Sequence, residues 1–487
     1  MMKVTCTGMN REQTMRSATI MSVAGMAAVL CVIGLAGCGG GGDGAGDHLV
    51  IYSPHGEAAR KEFTRAFTAY YLEKTGRPVE MKWPDAGGSS DILRHVEDKA
   101  RSGIHDVDVV FGGGPIHAQL KRDGLLQPYR LPDDLLDALP KTIAGQPLYD
   151  PEFHWYGAAI SSFGIIFNRK LIADRGLPGV TQWTDMARPE FFGLVGMVDA
   201  SQSGSVRKAY EIVLQAYGYE RGMSVLALMA ANARDIGRSA SEIPRGCAQG
   251  FIGLGPCIDF YAWRQMTEAG GEHLGFVLPE GLTVINTDPI SILRDAPHAE
   301  VAREFVGFVM SPRGQTLWSL RKGTPGGPVA ETLGRYAVLP EVYADHQADL
   351  VPGLKSPLGA PPNTSYDQAK ENARIAVLPA YLKAMMITNK RMLTDAWKAV
   401  IDAEAPEALV AELTAPLVSE DEMLRLARDV WTPVVIDAGA PDAEKERLGA
   451  ERDRRMRAQS DLNLQWSEAF RTRYKAVADK ARARARR

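Results

Sequence analysis

Apolar positions along this chain repeat with two alternating rhythms. His48–Ser53 is a short apolar run closed by Pro54 and Gly56, the pattern of a buried strand followed by a turn. From Glu57 to Thr75 the period changes, with Phe63, Phe67, Tyr70 and Tyr71 recurring at helical spacing and Gly76 as the stop. Val79–Trp83 predicts a second strand. Gly87-Gly88-Ser89-Ser90 opens a further helix with Ile92, Leu93 and Val96 on one face, and Val107–Phe111 predicts a third strand. Strands alternating with helices predict parallel pairing in a layered α/β sheet.

The run Tyr156–Asn168 is apolar but interrupted by Gly157, Ser161, Ser162 and Gly164, as expected where a strand leaves one lobe for another. A second α/β lobe follows, with strands over Gly193–Asp199 and Gly250–Tyr261 and a helix over Ser203–Ala216. Pro279–Leu293 reads as the return, and Ala299–Met310 as an amphipathic helix with Val301, Phe305, Phe308 and Val309 on its apolar face. Two crossings between two lobes make a hinge. The predicted organisation is lobe 1 over 48–157, lobe 2 over 158–280, a return to lobe 1 over 281–330, and a mainly helical region over 331–487. The chain ends in a highly charged stretch, Ala443–Arg487, that predicts a solvated terminal helix; its last basic run also offers charge to acidic lipid or nucleic acid.

Composition adds little to this picture. With 487 residues, 45% of them hydrophobic and 24% charged, and a formal net charge of -3, the chain is an ordinary globular sequence with no bulk basic charge to recruit nucleic acid. The N-terminus adds more. Lys3, Arg11 and Arg16 precede an uncharged apolar stretch from Ala18 to Ala36, the layout of a secretion signal, although such a stretch is also long enough to span a bilayer. It ends in Leu35-Ala36-Gly37-Cys38, which resembles the lipobox of bacterial lipoproteins. That resemblance implies a signal peptide over 1–37, lipidation of Cys38, and export to the periplasm or cell surface with attachment to the membrane. Residues 38–47 then form a glycine-rich tether. Two of the five cysteines, Cys247 and Cys257, remain in the body, either bridged or as two separate buried thiols.

Candidate chemistry concentrates in turns where a predicted strand ends in glycine or serine and a helix begins. Such turns present unpaired N–H groups and the positive end of the helix dipole. Ser53, His55, Gly88, Ser89, Gly113, Ser203 and Ser205 sit in four of them, and in an open α/β sheet these ends converge on one crevice. His55 stands beside Glu57, an imidazole and a carboxylate able to share a metal or polar ligand. Asp259 and Tyr261 end an apolar segment and offer oxygen donors of the kind a ferric ion prefers; the alternative for Tyr261 is a half-buried core aromatic.

At these residues the chain resembles the ferric-iron-type family of ABC-transporter solute-binding proteins, whose fold is the two-lobed type II periplasmic binding protein. The carriers are Val50–Glu57, Gly87–Asp91, Asp106–Gly114, Ser161–Asn168, Asp199–Ser205 and Phe305–Gln315, in this order over about residues 48–328. The resemblance implies a non-enzymatic, monomeric binding protein that closes on its ligand and presents it to a permease and ATPase. The family's iron binders place two adjacent tyrosines in lobe 2 and a histidine and a carboxylate in lobe 1, for which Glu57 is only a nearby carboxylate. Here Tyr261 matches one tyrosine, Phe260 occupies the preceding position, and His55 matches the histidine, so any metal ligands would be His55 and Tyr261, with Fe3+ as cargo and no resident cofactor. Other relatives take up sugar phosphates, phosphonates or similar anions, for which the serines around Ser162, Ser203 and Ser205 are suited. Two rival classes are a ligand-sensing or scaffolding lipoprotein of the same fold and a secreted hydrolase. The hydrolase lacks a Gly-x-Ser-x-Gly elbow, a His-Glu-x-x-His motif and a phosphate-binding loop.

Overall fold

Strand Asp47–Tyr52 pairs in parallel with Val79–Lys82 on one side and Val109–Phe111 on the other. In this computed structural model, which describes residues 46–114, 116–269, 272–360, 365–434 and 441–486, helices Glu57–Thr75 and Ser89–Arg101 make the connections between these strands. The expected signal peptide over 1–37, the expected lipidation site Cys38 and nearly all of the expected tether lie outside the described residues. The parallel α/β layering read from the alternating periods is the observed one.

Two antiparallel strands join the lobes. Ile285–Leu293 pairs with Val109–Phe111 of lobe 1 and with the first half of Tyr156–Asn168. The second half of Tyr156–Asn168 pairs with Leu254–Ile258 and Leu274–Val277 of lobe 2, and Val195–Val198 and Ala233–Gly237 extend that sheet. The register fixes the crossing: Ser162 faces Ile285 on the lobe 1 side, whereas Phe163 faces Ile258 on the lobe 2 side. Lobe 1 therefore extends into the middle of the strand, past the expected boundary at 157. Nearly every residue of this strand is buried, so no change of pattern marks the crossing.

The return to lobe 1 also continues past residue 330. The segment 331–360 is largely irregular and straps the hinge: Ile160 N–H donates to Tyr336 O at 3.0 Å, and the Trp263 indole N–H of lobe 2 donates to the Tyr336 hydroxyl at 3.0 Å. Apart from the short helix Pro340–Asp345, helical structure resumes only at Gln368.

The remaining helices form a module seated on lobe 2 helices Gly204–Tyr217 and Tyr219–Asn232. Arg374, 1% exposed, pairs with Glu211 and Glu420, and Trp397 donates its indole N–H to Asn232 at 2.7 Å. The final helix, Asp442–Ala485, is only partly the solvated element expected. Trp466, Phe470, Tyr474, Val477, Ala478 and Ala481 recur at spacings of three and four and are buried against the module, while the first half of the helix is mostly exposed. Cys247 and Cys257 are free and buried, so the bridge left open above is not formed; burial raises both thiol pKa values.

Candidate functional site

The turn after the first strand is built around His55. Its N–H donates to Ser53 Oγ at 3.1 Å, and both residues are buried. The turn after the third strand comes against it. Gly112 and Gly113 adopt φ of 88° and 103°, and a Cβ on Gly112 would lie 2.8 Å from His55 Nε2, so only glycine admits this approach. Ser89 Oγ lies 3.4 Å from where a Cβ of Gly113 would be, which brings the second turn to the third. Gly88 is the N-cap of the helix that follows, and its N–H donates to Asp91 Oδ2 at 3.2 Å.

The carboxylate at the centre is Asp288, on the return strand beside a register shift. It accepts from Gly113 N–H at 2.9 Å, sits 2.9 Å from His55 Nε2, and is 2.6 Å from Arg335 Nη1. Burial opposes a charge on Asp288, but His55, Arg335 and the Gly113 N–H outweigh it and hold the carboxyl far below its ordinary range. For His55, burial is the largest effect and lowers the pKa, with Asp288 offsetting only part of it. The imidazole is therefore neutral and the carboxylate charged. Glu57, expected beside His55, is exposed and pairs with Lys61 at 2.6 Å, because the first turn of its helix directs it outward.

Arg335 connects this cluster to lobe 2. Its backbone N–H donates to Trp318 O at 2.9 Å, which anchors it on lobe 1, while its guanidinium lies 4.4 Å from the ring centroid of Phe260 and 5.5 Å from that of Trp318. Asp259, fully buried at the start of helix Asp259–Glu268, accepts from Ser162 N–H at 2.6 Å, Ser162 Oγ at 3.0 Å and Phe260 N–H at 2.7 Å. Burial raises its pKa to about 7, against the pull of Arg335 and these donors. Ser162 thus ties the hinge strand to the first turn of that helix.

Not every expected residue joins this cluster. Ser203 caps helix Gly204–Tyr217 by accepting from Val206 N–H at 3.3 Å, and its hydroxyl is 3.2 Å from that of Ser205. Both have a local capping role on lobe 2, next to the half-buried Arg207. Tyr261 packs partly buried against the core with its ring 4.4 Å from that of Phe260. His55 Nε2 is engaged by Asp288, and no contact among the described residues brings Tyr261 to His55. The cluster Asp150, Glu152 and His154 has the ligand types and spacing for a metal, but the Lys121 ammonium occupies it, 2.7 Å from Asp150 and 2.9 Å from Glu152. The sequence reading missed Asp288, Arg335, Arg60 and Trp318. Asp288 left a signal, a charge inside the apolar run Ile285–Leu293, whereas Arg335 lies in a segment with no periodicity.

The fold is that of the two-lobed type II periplasmic binding proteins. Residues 105–338 match the family model described as bacterial extracellular solute-binding protein. In structure the chain is similar to iron-bound HitA from Pseudomonas aeruginosa, with a TM-score of 0.51 and 18% identity over 69% of this chain and 99% of that one. It is similarly close to the substrate binding protein of the ABC transporter from Agrobacterium tumefaciens, with a TM-score of 0.51 and 19% identity over 71% of this chain and 96% of that one. These likenesses establish the fold. In sequence, 159 residues are 28% identical to the phosphoglycerate transport regulatory protein PgtC of Salmonella typhimurium, a match covering 33% of this chain and 39% of that protein's length.

Proposed function

We propose that this chain captures a small anionic solute, a phosphate ester or phosphonate, between its lobes and delivers it to an ABC permease and ATPase, acting as a monomer held at the membrane through Cys38. Arg335 carries the reading. It is anchored on lobe 1, reaches the aromatic face of lobe 2, and is 12% exposed at its side chain, so an oxyanion placed there meets a poorly hydrated guanidinium. Arg60, on the first helix, adds a second guanidinium and forms no ion pair among the described residues; its Nη2 donates to Ser53 O at 2.7 Å. Ser89 adds a hydroxyl beside the Gly113 turn, whereas the N–H groups of Gly88 and Gly113 and the hydroxyl of Ser162 are already given to Asp91, Asp288 and Asp259 and hold these turns in place around the guanidiniums. The role read here is binding: the Ser162 hydroxyl is given to Asp259, and both residues are fully buried, which keeps this pair away from a bound solute.

The phosphoglycerate relative favours a phosphate ester, and Phe260 favours it over ferric iron, since a guanidinium lies against the ring where an iron site would need an oxygen donor. A thermal-shift screen of the purified chain tests this. Phosphate esters should raise the melting temperature through preferential binding to the folded state, and Arg335→Met should remove the shift. Stabilisation by ferric salts alone would overturn the reading.

A further inference from the structure

Beyond the two hinge strands the chain passes between the lobes a third time. Val351 N–H donates to Ser319 O at 3.0 Å and Leu350 bridges Leu320, which holds the strap on lobe 1 up to this point. From Gly353 onward it runs over lobe 2. Gly353 adopts a φ of 82°, and a Cβ there would lie 3.3 Å from the Trp263 ring, so the backbone rests on helix Asp259–Glu268.

Between this crossing and lobe 2 lies a cavity of about 650 Å³, a volume in the range of small-molecule sites. Trp263, Met266, Phe276 and Leu278 form its lobe 2 wall, and Tyr336 and Pro357 close it from the strap. The Trp263 ring stands edge-on to Phe276 at 5.5 Å and to Tyr336 at 6.2 Å. Arg335, Asp288 and His55 do not line it. Tyr336 is paired with Ile160, and successive side chains of extended backbone point to opposite sides, so Arg335 meets Asp288 while the Tyr336 hydroxyl meets the Trp263 indole N–H.

The apolar wall is accompanied by charge of one sign only. Arg169 and Lys355 line the same cavity and are exposed, neither forms an ion pair among the described residues, and no described carboxylate lines it. Arg169 is held in position by donating Nε–H to Leu274 O at 2.8 Å. An organic cation would face two like charges here, and a small inorganic anion would leave the aromatic wall uncovered. We infer that this cavity is a second ligand site, apart from the interlobe cleft, for a carboxylate with a flat aromatic body. The ring system lies on Trp263, Phe276 and Met266, and the carboxylate lies toward Lys355 and Arg169. The site does not depend on which solute the interlobe cleft takes.

The test is calorimetric titration of the full chain with three probes of one shape, naphthylacetate, naphthylacetamide and naphthylethylamine. The carboxylate should bind about fivefold tighter than the amide or more, and the amine more weakly than either, the effect expected of two partly solvated cations. Leu278→Glu, which places a carboxylate at a half-buried position of the wall, should abolish naphthylacetate binding. Lys355→Glu alters an exposed side chain without an ion pair, should weaken binding by about fivefold, and serves if Leu278→Glu does not fold. Arg335→Met should leave the naphthylacetate affinity within about twofold, because that residue belongs to the interlobe cleft. Loss of binding in Arg335→Met would place the probe in the cleft and overturn the second site. Equal binding of acid and amide, unchanged affinity in both wall variants, or no binding of naphthylacetate would overturn it as well.

Discussion

Two buried carboxyl groups near the hinge have their pKa values moved in opposite directions, one lowered by its partners and the other raised by burial. Asp288 has a guanidinium, an imidazole N–H and a backbone N–H on its oxygens and remains charged. Asp259 has neutral donors only, and burial raises its pKa to about 7 from an ordinary 3.8. In the window from about 4 to 7 the folded state keeps a proton on Asp259 that the unfolded state has released, so this residue's contribution to stability falls as pH rises and is constant above 7. Asp259→Asn should remove that slope: melting temperature plotted against pH for wild type should fall relative to the variant across the window, and parallel curves would reject the assignment. Arg335→Met should weaken phosphate-ester binding by about 10- to 150-fold, the equivalent of a charge-assisted hydrogen bond of about 1.5–3 kcal/mol, whereas Arg335→Lys should retain part of it. A titration in which Arg335→Met binds like wild type would remove the residue from the site. At this scale the sequence displayed only what lies in punctuated turns. His55, Ser89 and Gly113 stand next to proline or glycine and could be read; Arg335 has no such neighbour pattern, and its position depends on backbone bonds to Trp318 and Ser319 that form only in the folded chain.

Among the elements, the strand Tyr156–Asn168 bears the greatest constraint, because it is paired in both lobes. Gly164 lies just past the crossing, where a Cβ would run into the carbonyl oxygen of Val277 and the ring of Phe276. Gly164→Ala should therefore destabilise the protein by about 1–3 kcal/mol, the usual cost of overpacking, measured as a lower urea midpoint with an unchanged slope. No loss would mean that the paired strand can shift without cost. The existence of this strand was legible in its apolar run, but the position of the hinge within it was not. A strand buried in both lobes has the same composition on either side of its crossing. Similarly, the period of the terminal helix was readable, but which half of it is covered depends on Trp431 and Tyr381, both distant in sequence, whose rings pack 5.6 and 5.1 Å from that of Trp466.

For the whole molecule, the helical module and lobe 2 are joined through buried charge. Arg374 holds Glu211, whose pKa burial raises despite that partner, and Lys208 pairs with Glu371 in the same interface. Arg374→Met would leave Glu211 without its guanidinium in a buried setting, and a loss of about 3–5 kcal/mol is expected in chemical denaturation, together with easier proteolysis between the module and the lobe. A loss below about 1 kcal/mol would show that the interface rests on its apolar contacts instead. The two-lobed plan was visible from the alternation of periods and the two interlobe crossings. The attachment of the module to one lobe was not, since it depends on contacts such as Trp397 with Asn232 across 165 positions of chain.

That one-sided attachment makes the terminal helix a mechanical pointer. At 44 residues it is about 66 Å long, so a hinge rotation of roughly ten degrees would sweep its length through an arc of about 11 Å. A small angular change between the lobes is thereby converted into a displacement large enough for a pair of fluorophores to register.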